Sequence, residues 1–97
     1  MGTMNKQEYL DKLRQEIGID SYIQEVFEYM ENSTQYPIVL KGDLSPKSLP
    51  FFYQNSEFII KVLTEKFAER EWILTTKIVE TYSGYNELFE EEVYVLE

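Results

Sequence analysis

At 97 residues, with 43% hydrophobic and 15% aromatic content, the chain has the size and apolar mass of one folded domain and not of a disordered acidic tract. Eighteen acidic against nine basic residues give a net charge of −9, which leaves no basic cluster to displace counterions from nucleic acid or to lie on an anionic membrane. With neither cysteine nor histidine, the chain lacks disulfides, zinc–thiolate sites, thiolate nucleophiles and the usual neutral-pH general base.

Met1-Gly2-Thr3 reads as a cloning scar ahead of Met4, so residues 4–97 are expected to form a single acidic domain. Asn5-Lys6-Gln7-Glu8 resembles a capping box, and Leu10, Leu13 and Ile17 follow on one helical face. Gly18 ends that helix, because glycine takes the left-handed conformation without steric cost. Asp20-Ser21 restarts a helix at once, with Ser21 and Gln24 as a second capping box. Ile23, Val26, Phe27 and Met30 recur at i, i+3, i+4 and i+7, and Asn32 is the expected stop. This second helix carries Asp20, Glu25, Glu28 and Glu31 and no Lys or Arg.

Tyr36 to Leu40 reads as a buried strand with proline near its start, closed by Lys41-Gly42-Asp43. In the following loop Ser45-Pro46 suits one helical turn, and Pro50 disfavours helix at Leu49. Phe51-Phe52-Tyr53 fits either a short edge strand or a hydrophobic lead-in to the next helix. That helix is expected to be capped by Asn55-Ser56, to run to about Glu69, and to carry Phe58, Ile59, Val62, Leu63 and Phe67 on its apolar face.

Two strand-like runs close the chain, separated by Ser83-Gly84-Tyr85-Asn86 as a turn signal. Trp72, Leu74, Ile78 and Tyr82 share one face by period two. Ile73 and Val79 break the alternation, as a helix over part of the second face would allow. Val93 to Leu96 are the convincing part of the return strand. Residues 87–92 also have helix propensity, and the hairpin is the preferred reading. The elements predict a two-layer α+β domain in the order ααβ, loop, αββ. Its small sheet of three or four strands ends in an antiparallel hairpin packed against the helices.

No P-loop, Rossmann glycine pattern, EF-hand loop or zinc motif is present. Nothing singles out a catalytic carboxylate pair, so no catalytic residue and no cofactor is expected and the chain does not read as an enzyme. Glu90 and Glu92 would share a face of a strand, but two carboxylates without loop carbonyls make a poor cation site, and no metal is expected. No apolar run approaches the ~18–20 residues that span a bilayer, and no signal peptide is visible, so the expected address is cytoplasmic.

Recognition is what remains. Six carboxylates and no basic residue lie from Glu80 to the end, beside several of the eight tyrosines. Aromatic anchors ringed by carboxylates suit a partner rich in Lys and Arg. The candidate partner-binding residues are Glu25, Glu28 and Glu31 on the second helix and Tyr82, Tyr85, Glu87, Phe89, Glu90, Glu91 and Glu92 around the turn. The competing reading puts Tyr82 and Phe89 in the core.

The order YPIVL, loop, SEFIIKVLTEKFAE, WILTTKIV, with the two helices before it, resembles barstar-type intracellular ribonuclease inhibitors over roughly residues 8–79. The resemblance implies an acidic second helix that mimics phosphate against a basic nuclease. The chain lacks that family's first strand, its aromatic-glycine-asparagine approach to the second helix and its tryptophan there, and it adds the acidic C-terminal run. The likeness is one of element order, and no binding residue is carried over.

The sequence therefore predicts a small acidic inhibitor, immunity protein, antitoxin or phage anti-defence protein that blocks a basic surface on another protein. Neither nucleic acid nor membrane is expected to bind directly. The alternative is a self-associating structural or accessory subunit of a phage or mobile element, such as a homodimer, joined through Phe51-Phe52-Tyr53 and a free sheet edge.

Overall fold

The structure, a computed structural model, describes residues 3–82, 84 and 87–97. Helix α1 (Lys6–Ile17) begins where Asn5 Oδ1 accepts from the Glu8 backbone N–H at 2.8 Å, while Asn5 Nδ2 donates to Glu8 Oε1 at 2.9 Å. It ends at Gly18, at φ 79°, whose N–H donates to the carbonyls of Arg14 and Gln15. Gly18 also opens helix α2 (Ile19–Asn32), its carbonyl accepting from Tyr22 N–H at 3.1 Å. One residue serves as both stop and start, so the expected Ser21–Gln24 box does not form and α2 has no side-chain cap. Ser21 already lies inside the first turn, and Asp20 is drawn instead to Arg14 of α1, whose Nε donates to Asp20 Oδ2 at 3.0 Å. That pairing and burial act on Arg14 in opposite senses, and the hydrogen bond to Asp20 prevails, raising its pKa.

Strand β1 is only Ile38–Leu40; Tyr36 stays exposed ahead of the cis Pro37 peptide, so the strand is shorter than the apolar run. Two 3₁₀ turns follow, Gly42–Leu44 and Pro46–Ser48, the second capped by Ser45 Oγ accepting from Lys47 N–H. Phe51-Phe52-Tyr53 forms a turn and not a strand, with Phe51 at φ 61° and Phe52 buried. Helix α3 (Ser56–Ala68) starts at Asn55, whose side chain does not cap it. Asn55 Nδ2 instead donates back to the Phe51 carbonyl at 3.1 Å.

Strands β2 (Leu74–Tyr82) and β3 (Leu88–Leu96) form the antiparallel hairpin, which settles residues 88–92 as strand. The sheet order is β1-β3-β2, all antiparallel. The fold is the expected small α+β domain, with three α-helices and a three-stranded sheet among the described residues. One sheet face, carrying Ile38, Leu40 and Leu96, packs on Val26, Ile59, Leu63 and Phe67 of the helices. Tyr22, on the buried side of α2, sends its hydroxyl to the Leu44 carbonyl at 2.6 Å and ties the first 3₁₀ turn to that helix. Burial pushes the Tyr22 phenol well above its ordinary range.

The core covers only the base of the hairpin. β1 reaches β3 from Leu96 to Tyr94, whereas β2 and β3 stay paired, without a bulge, out to Tyr82–Leu88. Beyond Lys77–Val93 the hairpin continues for five residue pairs, an arm of about 17 Å at strand rise. The molecule measures 60 × 30 × 17 Å. Its radius of gyration of 15.8 Å exceeds the roughly 12.5 Å of a compact chain this long. Ile73 is 67% exposed on the sheet face opposite the helices, so no helix covers that face there.

Candidate protein-interaction surface

The register sorts the arm's side chains. Ile78, Glu80 and Tyr82 of β2 share a face with Glu92, Glu90 and Leu88 of β3, directly opposite one another in that order. Glu91 and Phe89 lie on the reverse face, with Val79 across from Glu91. The helix-side face has run past the helices by this point, so Ile78 is 66%, Tyr82 77% and Leu88 49% exposed, while Phe89 on the reverse face is 51% exposed. The reading that put Tyr82 and Phe89 in the core is therefore overturned. Glu87, Glu90, Glu91 and Glu92 are exposed as well. Tyr85 and most of the turn lie outside the described residues.

Glu80 and Glu90 form a like-charge pair, and it sits at a closely spaced position of the ladder. Ile73 and Glu97 exchange two backbone hydrogen bonds, of 2.8 and 3.0 Å, which fixes the alternation for the whole hairpin. Every second pair outward from there is bonded, so Glu80–Glu90 falls between bonds, where side chains come closest. Neither carboxylate has an ion-pair partner among the described residues. The cations near the arm stand at its base: Lys77 pairs with Glu97, and Lys47 Nζ donates to the Glu92 carbonyl at 3.3 Å. Because Glu91 faces away from Glu90 and Glu92, the three consecutive acids do not converge on one point.

The acidic strip of α2 has a different setting. Glu25, Glu28 and Glu31 are exposed. Glu28 and Glu31, but not Glu25, line a groove of about 520 Å³ between α2 and α3 that also contains Lys66, Glu69 and Arg70. Arg70 stacks over the Phe27 ring at 4.7 Å, and Lys66 pairs with Glu69 at 3.4 Å. The second helix lacks cations in its own sequence, yet Lys66 of α3 and Arg70 just after that helix stand at its side, and Arg14 takes Asp20. The arm thus holds the more uniform negative surface, while α2 lines a mixed one. The two groups of candidate residues occupy separate elements.

Ile78, Leu88 and Glu80 belong to the arm surface and are not among the partner-binding residues expected from sequence. The signal for them is length: two nine-residue strands cannot both be covered when the third strand has three residues.

No family model matches the chain, nor does any curated protein or solved structure. The likeness of element order to barstar-type inhibitors is carried no further. Among the described residues, no helix is long and apolar enough to cross a membrane.

Proposed function

We propose that this is a small acidic protein-binding module of the inhibitor, immunity, antitoxin or phage anti-defence type, which blocks a basic surface on a partner protein, such as a nucleic-acid-binding groove. The observation that carries this reading is the arm: apolar and aromatic side chains exposed beside carboxylates on a two-stranded projection, with no cation beyond Lys77. Exposed aromatics supply contact area, and surrounding charge steers a basic partner and sets the salt dependence. In this reading the protein acts by occupancy and is not an enzyme. It uses no cofactor and binds neither nucleic acid nor membrane directly.

The test is parallel capture from cell lysate on the immobilised protein and on a Glu90→Lys/Glu91→Lys/Glu92→Lys variant, eluted along a salt gradient. A stoichiometric basic protein retained by the first and lost by the second supports the arm as the contact. Equal retention by both, with the variant folded, rules out the arm and moves the reading to Glu25, Glu28 and Glu31 on α2.

A second reading, self-association, draws on the exposed Phe51 and Tyr53 and on the unpaired outer edge of β2. Like charge opposes it, since two copies bring −9 against −9. Light scattering at high micromolar concentration decides, and a dimer mass would favour the second reading.

A further inference from the structure

The ladder that places Glu80 opposite Glu90 also decides where the backbone points. Odd-numbered residues of β2, from Ile73 outward, turn their N–H and C=O groups toward β3, so Leu74, Thr76, Ile78 and Glu80 turn theirs to the outer edge. β2 is the edge strand of the sheet, and among the described residues no hydrogen bond reaches those outward groups. The opposite edge is treated differently. Even-numbered residues of β3 face β1 at Leu96 and Tyr94, and past the end of β1 the Lys47 ammonium caps the Glu92 carbonyl. β2 has no such guard. It is long, unbulged and free of proline, and it carries apolar Ile78 and Tyr82 exposed on the face that β2 shares with Glu80.

An edge of this kind accepts an added strand, whose main-chain bonds supply affinity and whose alternate side chains supply specificity. Side chains of an added strand opposite Ile78, Glu80 and Tyr82 lie on the same face as these three. The two outer positions meet apolar side chains. The middle one meets the Glu80–Glu90 pair, which no cation of this chain neutralises among the described residues. A second copy of this strand would bring a further glutamate to the same crowded face. A partner segment with Lys or Arg at the centre instead relieves the repulsion.

We infer that the outer edge of β2 is a strand-addition site for an extended segment of the partner protein with an apolar–x–Lys/Arg–x–apolar pattern, paired antiparallel like every other strand of this sheet. The inference rests on the arm being the recognition element and names what that element reads.

The probe is the peptide acetyl-TVTRTVT-amide, titrated into the isotope-labelled full chain and followed by amide NMR. The expected result is shifts centred on Ile78, Glu80 and Tyr82. Binding should weaken by about tenfold or more when the valine and arginine amides, which face β2, are N-methylated, since two or three main-chain bonds are lost. N-methylation of the threonine amides, which point away, should leave binding intact. On the protein side, Glu80→Pro removes an outward N–H without removing a hairpin bond, and it should abolish binding. Glu80→Gln removes only the charge and should weaken binding partially.

If both N-methylated peptides bind as the parent does, the contact is plain charge attraction: strand addition is overturned and the acidic-arm reading stands. A peptide with Glu in place of Arg that binds equally well overturns the charge pattern. Absence of binding up to millimolar peptide overturns the site itself, and lysate capture then judges the arm separately. Line broadening that grows with protein concentration alone assigns the edge to a second copy and also overturns the inference.

Discussion

Tyr22 is the residue on which the helical layer and the connecting turns depend together. Its ring is 4% exposed and its hydroxyl is held by the Leu44 carbonyl, so replacement by phenylalanine keeps the packing and removes one donor. Tyr22→Phe should cost about 1 kcal/mol near neutral pH, read by urea denaturation. The same residue predicts an alkaline weakness. Above the ordinary phenol value of about 10, an unfolded Tyr22 loses a proton that the buried one keeps. The unfolded state then binds fewer protons, and stability falls as pH rises, by about 1.4 kcal/mol per pH unit from this group until its raised folded value is reached. Tyr94, raised by partial burial and by Glu92, adds in the same direction, so Tyr22→Phe should reduce the slope without abolishing it. An unchanged slope would show that the Tyr22 phenol ionises as freely in the folded state as in the unfolded. Tyr22 was not distinguished in the sequence, although it lies three residues after Ile19 and four before Val26, on the helix face that the fold buries.

At the scale of elements, local chemistry was readable wherever a single residue dictates the backbone. Gly18 as helix stop, Ser45-Pro46 as a turn and Pro50 as a break all follow from sterics, and each is found. A β-carbon on Gly18 would meet no atom within 4 Å. Gly18→Ala should therefore cost about 1 kcal/mol from the left-handed conformation alone, measured as a lower thermal midpoint with an unchanged spectrum. Predictions failed where two segments compete for one group. Ser21 lost its capping role because Gly18 leaves no gap between helices, and the Asn55 side chain donates to the Phe51 carbonyl without capping α3. The hairpin itself was legible from period two and a glycine turn, but not the fact that its outer half leaves the core. Ile78 and Tyr82 carry a core-like pattern to a place where no helix follows. The opposed Glu80 and Glu90 give the arm a built-in weakness. Glu90→Lys should raise its stability by about 0.5–1 kcal/mol, seen as slower hydrogen exchange at Lys77 and Val79, whose amides face β3, and it should at the same time weaken capture of a basic partner. Stability and binding moving in opposite directions is the signature of charge retained for recognition.

For the whole molecule, the two acidic regions that looked alike in sequence become unequal once folded. Cations from α3 and α1 reach the second helix, whereas the arm extends beyond the cations at its base. The net charge of −9 predicts association that weakens steeply with salt, and the arm predicts where that charge is used. Light scattering should give a monomer mass. The measurement that tests the account most directly is site-specific photocrosslinking in lysate, with the crosslinking amino acid placed at Tyr82 on the arm and, separately, at the exposed Tyr9 on α1. The account predicts one basic polypeptide joined through position 82 and none through position 9. An adduct through position 9 with position 82 silent, or a product through 82 that is only a second copy of this chain, would contradict it.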